Sequence, residues 1–289
     1  MAQFNLITWN IQWGRGCDGR VDLRRIVDTV RAMADFDVLC LQEVARNFRG
    51  LPGSRGEDQF RLLAELLPGY VAIEGIGTDV RAENVALARS QFGNLVLTRL
   101  PGLQAFRHLL PWPAEPEVPS MQRVAVEVVL QAPWGPLRVT TTHLEYYSAR
   151  QRAAQIERLR ELHAEAAAHA QDVSHTRKEG GPFRNAVRPA AGILTADFNF
   201  RPDDPLYARL QAPFADATPA PRYVDSWQVM HPGTPHAPTL GVFDHQQWPE
   251  PFACDFIFVT GDLACRVREV RVNSDTDASD HQPVLLSLD

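Results

Sequence analysis

"LTADFNF", residues 194–200, decides how this chain is read. It ends an apolar run through Ala191, Ile193 and Leu194 with Asp197 and Asn199, two positions apart. Side chains at i and i+2 of a strand share a face, so their oxygens can converge on one point, as a hard cation or a phosphate requires. The same residues also suit an Asx turn that closes a strand. The pattern recurs on both sides of this stretch. "LITWN" ends in Asn10, "VLCLQE" in Glu43 and "VTTTH" in His143, while Asp255 leads into "FIFV" and "SDHQPV" sets Asp280 and His281 before an apolar run. Six such places are hard to assign to turn chemistry alone, because strand ends are where rigid scaffolds present functional groups.

Strand-like runs fill the chain: "FNLITWN", "DVLCLQEV", "YVAIEGI", "FGNLVLTR", "QRVAVEVVL", "LRVTTTHLE", "AGILTADFN", "DFIFVT", "VREVRV" and "QPVLLSL". "QAPWGP" between two of them reads as a hairpin turn, which makes part of the sheet antiparallel. Helical spacing is rarer. Leu23, Ile26, Val27 and Val30 show it, as do Phe60, Leu63, Ala64 and Leu67 before "PGY". A third helix is expected to start at Ser148, where "SARQ" has capping-box form. With no repeat or linker to divide it, residues 1–289 read as one domain of two packed sheets with helices outside.

Composition, 45% apolar and 22% charged, is that of an ordinary globular protein. No stretch approaches the ~20 apolar residues of a membrane span. The opening "MAQFNLITWN" lacks a basic flank or cleavage site, so we expect no export signal and a cytoplasmic location. Cys17, Cys40, Cys254 and Cys265 have no CxxC spacing, which argues against a zinc cluster and a disulfide framework. The net charge of -6 does not suit a strong nonspecific duplex binder. His231, His236 and His245, with Asp244 beside the last, lie in a Pro-rich loop without metal-ligand spacing. His236 and Trp248 are read as pocket walls, Tyr146 and Tyr147 as packing at the start of the long helix, and His163 and His169 as its solvent side.

Asn, Asp and Glu oxygens without cysteine fit Mg2+ or Mn2+, which share their shell with water and substrate phosphate. "TWNIQ", "LQE", "THL", "DFN", "CDFIFV" and "SDHQP", in this order from residue 4 onward, resemble the motif series of the endonuclease/exonuclease/phosphatase superfamily. That superfamily includes DNase I-like nucleases, apurinic endonucleases, sphingomyelinases and inositol polyphosphate phosphatases. Ala196 stands where the family usually has Gly before "DFN".

The resemblance implies a DNase I-like four-layer α/β sandwich of two mixed sheets flanked by helices. It also implies a metal-dependent phosphoesterase in which water attacks a phosphodiester or phosphomonoester in line. Glu43, helped by Asn10 and Asp280, is expected to hold Mg2+ (or Mn2+). Asp197 is expected to orient or deprotonate the water and Asn199 to hold a phosphate oxygen. His281, partnered by Asp255, is the other acid-base group, and the sequence leaves open whether it or Asp197 is the base. His143 reads as a second phosphate ligand, and Asn94 and Arg123 as phosphate-binding or bracing residues. A nuclease acting on DNA or RNA is the alternative inside the fold, although the acidic balance does not point to nucleic acid. A noncatalytic binding protein is the alternative outside it. The basic segment 172–189, with Arg177, Lys178, Arg184 and Arg188, is expected to be mobile and to lie on the face opposite Asp197, because the strand it feeds presents its functional end last.

Overall fold

Alternation along the strands sorts the side chains into layers. On β1 (Phe4–Asn10) and β2 (Val38–Arg46), Phe4, Leu6, Val38 and Cys40 face one way, while Ile7, Trp9, Leu39 and Leu41 face the other. The second face is covered by α1 (Leu23–Met33) and α2 (Gln59–Leu66), through Ile26, Val27, Val30, Phe60 and Leu63. The first face meets a second sheet carrying Val126, Val128, Val139, Ile193 and Ile257. That sheet in turn buries Leu194, Ala196, Phe256 and Phe258 beneath Ile156, Leu159 and Leu162 of α3 (Ala149–Gln171) and Leu210 of α4 (Pro205–Gln211). Four layers result, as the resemblance implies. They are seen in a computed structural model that describes residues 3–83, 88–172, 187–214 and 220–289.

The remaining elements are β3 (Val71–Arg81), β4 (Arg89–Thr98), β5 (Gly102–Leu109), β6 (Val124–Ala132), β7 (Gly135–His143), β8 (Gly192–Asp197), β9 (Tyr223–Asp225), α5 (Ser226–Met230), β10 (Asp255–Thr260), β11 (Val267–Val272) and β12 (Val284–Leu288). Both sheets have six strands, in the orders β11-β12-β1-β2-β4-β3 and β5-β6-β7-β8-β10-β9. Each is mixed: β1 and β2 run parallel, as do β7 and β8, while the other pairs are antiparallel. The crossover between each parallel pair carries a helix, α1 in the first sheet and α3 in the second. The carboxyl ends of both parallel pairs lie on the same side, and there open α/β sheets place their ligands.

Ser148 caps α3, its hydroxyl accepting from the Gln151 backbone N–H at 2.9 Å. The Gln151 side chain does not complete the capping box; its amide donates instead to the Pro113 carbonyl and to Ser120. The expectation for His163 is corrected. The ring is fully buried, hydrogen-bonded to Arg138 and to the Pro221 carbonyl and packed on Tyr223, because α3 turns that face toward the sheet.

Of the basic segment, Arg177, Lys178 and Arg184 lie outside the described residues. Arg188 is buried and makes a two-pronged ion pair with Glu127, Nε to Oε1 at 2.6 Å and Nη2 to Oε2 at 2.7 Å. This residue is therefore anchored, and the segment is not a loose loop up to 189. Burial alone would raise the Glu127 carboxyl, but Arg188 and then His108 hold it down at about 2. A depressed carboxyl contributes stability that is complete above its unfolded value, about 4.5, and is lost as pH falls through the folded value. Glu127→Gln should therefore cost about 3–5 kcal/mol at pH 7 by leaving Arg188 buried and unpaired. The loss should shrink between pH 4.5 and 2, read as melting temperature against pH.

Candidate active site

The space between the sheets changes character along each strand. Inward positions read Phe4, Leu6, Thr8, Asn10 on β1; Leu137, Val139, Thr141, His143 on β7; and Ile193, Thr195, Asp197 on β8. β10 runs the other way and gives Val259, Ile257, Asp255. Apolar core thus passes through a threonine layer, where Gln42 donates to Thr8 and Thr141 and Thr195 donates to Thr141, into a cluster of acids and histidines. Register places His143 beside Asp197 and Asp255 beside Asp197.

Two backbone devices aim side chains that plain alternation would misdirect. β2 carries a bulge between Leu41 and Val44, and Glu43 within it has φ +60°, in the left-handed region that non-glycine residues seldom adopt. The bulge lets Gln42 stay in the threonine layer while Glu43, its neighbour, reaches the same cluster. Asn199 lies just past β8 with φ +53°, and its N–H donates to Asp197 Oδ1 at 3.0 Å. The two readings of "DFN" are thus both present: the segment forms an Asx turn, and the turn, rather than strand alternation, brings Asn199 to Asp197.

Asn10 joins the halves. Its Nδ2 donates to Glu43 Oε1 at 3.1 Å and to Asp197 Oδ2 at 2.9 Å, while its Oδ1 accepts from the Gln12 N–H. Burial, followed by the charge of Asp280, pushes Glu43 up to about 7. Burial also raises Asp197 to about 6, against the pull of His281. His281 Nε2 lies 3.6 Å from Asp197 Oδ2, and its Nδ1 lies 2.8 Å from Asp255 Oδ2. Burial opposes a charge on His281, but Asp255 and Asp197 outweigh it and hold the imidazole well above its ordinary value. Asp255 Oδ2 also accepts from the Thr239 hydroxyl at 2.7 Å, which fixes the carboxylate.

His143 differs. Burial, then Arg123 and His281, lower it well below its ordinary value and keep it neutral. Its tautomer follows from its neighbour. Asn199 Nδ2 donates to the Leu144 carbonyl at 2.8 Å and faces His143 Nε2 at 3.0 Å, so Nε2 accepts and Nδ1 carries the proton. That Nδ1 is buried without a hydrogen-bond partner among the described residues and lies 3.8 Å from Glu43 Oε1. Arg123 repeats the theme: Nε donates to Glu145 Oε2 at 3.2 Å, while the buried Nη1 has no partner among the described residues. Asn94 donates to the Val124 carbonyl and braces the strand next to Arg123. Asp280 is gripped by Gln12, whose Nε2 donates to Oδ2 at 2.8 Å.

The residues suit a hard cation. Glu43, Asp280 and Asp197 crowd negative charge around the Asn10 amide, whose oxygen keeps a second lone pair beyond its bond to Gln12, and oxygen donors of this kind match Mg2+ or Mn2+. Asp197, Cys254 and His281 also place one ligand atom each within 4.8 Å of one another. Two of that trio lack a deprotonated donor, because burial and then Asp255 raise the Cys254 thiol well above its ordinary value and His281 holds its proton, which leaves Asp197 alone.

Asn10, Glu43, His143, Asp197, Asn199, Asp255, Asp280 and His281 are therefore gathered in one place, with Arg123 at the rim of the same cleft and Asn94 behind it. His236 is not there. It bonds Asp225 and packs on Trp227, away from the cleft. Tyr146 and Tyr147, read as helix packing, are exposed and line the cleft together with the half-buried Trp248. Gln12, Trp13, Phe48, Leu51, Phe92, Met121 and Leu240 also line it; they carried no sequence signal, since only their fold neighbours make them walls.

The family model described as Endonuclease/Exonuclease/phosphatase family matches residues 7–281. No curated protein sequence matches the chain. Among solved structures, an endonuclease/exonuclease/phosphatase from Beutenbergia cavernae DSM 12333 is 27% identical, with a TM-score of 0.66 over 100% of this chain and 72% of that one. One from Bacteroides vulgatus is 18% identical, with a TM-score of 0.69 over 100% and 99%. The mannosyl-6-phosphatase of Bacteroides thetaiotaomicron VPI-5482 is 17% identical, with a TM-score of 0.63 over 98% of each chain. Among the described residues no helix is long and apolar enough to cross a membrane.

Proposed function

Because the chain belongs to the Endonuclease/Exonuclease/phosphatase family, we propose that it is, as one domain throughout, a Mg2+- or Mn2+-dependent hydrolase of phosphate esters. The observation that carries this reading is the pairing of a charged imidazole, His281, with a carboxylate of raised basicity, Asp197, 3.6 Å apart at the floor of an open cleft. Glu43, Asp280 and Asn10 are the residues that would hold the cation. When bound, it supplies positive charge to the phosphate oxygens.

The chain's own groups have separable tasks. Asp197, ionised at neutral pH yet more basic than an ordinary carboxylate, accepts the proton of the attacking water. Asn10 and the Asn199 backbone fix its two oxygens, so the lone pair that takes the proton is directed. His281 is already protonated and gives charge to the phosphate in the transition state, with Asp255 holding its orientation. That assigns the base role to Asp197. His143 Nδ1–H and Arg123 Nη1 are donors without partners among the described residues, suited to phosphate oxygens. Asn199 acts through His143, whose tautomer it selects.

The direct test is turnover of bis-p-nitrophenyl phosphate and p-nitrophenyl phosphate with Mg2+ or Mn2+, with abasic-site duplex, single-stranded DNA, sphingomyelin and inositol phosphates beside them. Folded protein that turns over none of these with metal present favours the binding-protein alternative. A second prediction concerns the charge on His281. A histidine raised by its partners loses its proton as pH rises through the folded value. Asp255→Asn removes the main partner and brings that loss down toward an ordinary histidine, about 6.5. The variant's kcat should then fall roughly tenfold from pH 6 to pH 8, over a range where the parent does not decline. Parallel profiles would remove His281's charge from the mechanism.

A further inference from the structure

The cleft above Asp197 and His281 has a volume of about 680 Å3, the size range of drug-like ligand sites, and thus room for more than a phosphoryl group. Its walls are unlike its floor. They include Trp13, Phe48, Phe92 and Met121, with Phe48 and Phe92 edge to face at 6.2 Å. They also include Tyr146, Tyr147 and Trp248, linked by edge contacts of 4.8 Å between the tyrosines and 6.0 Å between Tyr146 and Trp248. These rings are held in place. Trp13 Nε1 donates to the Pro52 carbonyl, and Arg152 donates to the carbonyls of Glu145 and Tyr146, pinning the turn that carries both tyrosines. Yet Tyr146 is 44% and Tyr147 64% exposed, and soluble proteins seldom leave clustered rings open to water without use.

What the walls lack is equally informative. Among the described residues lining the cleft, Arg123 is the one permanent cation, and apart from Asn199 and the acids and histidines of the floor, the side chains suited to a polyhydroxylated group are few: Gln12, Thr78 and Gln247. A nucleic-acid strand needs several phosphate contacts. A sugar or inositol needs a ring of polar partners. A flat group on a single phosphate needs rings to stack on and one anchor for its charge.

Resting on the proposed hydrolase reading, we propose that the substrate is a small ester with one phosphate and an aromatic substituent, seated against the aromatic side chains that line the cleft, among them Trp13, Phe92, Tyr146 and Trp248. Stacking on a ring is tolerant of chemical detail, so the aromatic group can be an aryl ring or a single nucleobase.

Non-hydrolysable phosphonates separate this proposal from catalysis. With intact protein and Mg2+, phenylphosphonate, methylphosphonate, hexylphosphonate and a single-stranded oligonucleotide are compared by calorimetry. Phenylphosphonate is expected to bind at least about tenfold tighter than methylphosphonate. Trp248→Ala and Tyr146→Ala, each checked for an unchanged melting curve, should weaken phenylphosphonate several-fold and leave methylphosphonate as it was. Equal affinity for phenyl and methyl overturns the proposal, as does hexylphosphonate binding as tightly as phenyl. Tightest binding by the oligonucleotide, with a steep salt dependence, overturns it in favour of a nucleic acid. If no phosphonate binds, methyl included, the phosphate site itself is refuted, and the hydrolase reading falls with it. Nucleoside 5'-methylphosphonates then distinguish a nucleobase from a plain aryl ring.

Discussion

Asp197→Asn should lower kcat by roughly a thousandfold, within the range expected for loss of a positioned base, while the folded protein holds its melting temperature. The substitution keeps size and one acceptor, but it removes the lone pair that takes a proton from water. Stability does not follow activity, for a definite reason. Burial lifts the Asp197 carboxyl to about 6 in the folded protein. A carboxyl raised above its unfolded value favours the folded state only while protonated, and that contribution is lost as pH rises through the folded value. At pH 8 the parent therefore carries a buried charge that the variant lacks, which offsets the mismatch between the new amide NH2 and the donors Asn10 and Asn199. The variant's melting temperature relative to the parent should improve between pH 5 and pH 8. Near-normal turnover would refute the base assignment. A collapsed melting curve would make Asp197 a structural residue.

Exhaustive chelation should bring turnover to background, and Mg2+ or Mn2+ should restore it, because all the candidate ligands are oxygens. A readout independent of activity comes from linkage: a ligand that binds only the folded state stabilises it by about 2.7 kcal/mol at a hundred times its Kd. Added Mg2+ should thus raise the melting temperature of the chelated protein. Glu43 is central to the expectation, since Asp280's charge adds to burial in lifting its carboxyl to about 7. Glu43→Gln relieves that crowding and removes the ligand together. It should melt no lower than the parent without metal, gain little from Mg2+ and turn over poorly at any metal concentration. Full activity after chelation, or a metal response unchanged in Glu43→Gln, would remove the cation from this site.

Much of this architecture was legible because strands buried on both faces, such as β1, β2, β7 and β10, read as apolar runs closed by polar residues. β5 escaped notice, since "GLQAFRHL" lies at a sheet edge, half-exposed and interrupted by Gln104, Arg107 and His108. β9 spans three residues, too few for any period. Among the candidate site residues, those at strand ends could be read directly. The walls could not, because Phe48, Phe92 and Tyr146 become neighbours of Asp197 only through the sheet order. His163 was misjudged for a related reason: its Arg138 partner is 25 residues away, on a strand whose side-chain direction no local pattern reveals. Gln12 was likewise silent, its use set by Asp280, 268 positions away.

Each sheet ends its parallel pair in half of the candidate site: Asn10 and Glu43 from one, His143 and Asp197 from the other. In the proposed mechanism neither half acts alone, and the Asn10 amide that spans them tolerates no slippage. A slide of one residue, about 3.3 Å, would separate Asn10 from Asp197 altogether. Activity in this molecule is consequently a gauge of how the two sheets are seated. Substitutions deep in the sandwich, far from any substrate, can silence the enzyme by misaligning its halves while every strand stays paired with its own neighbours.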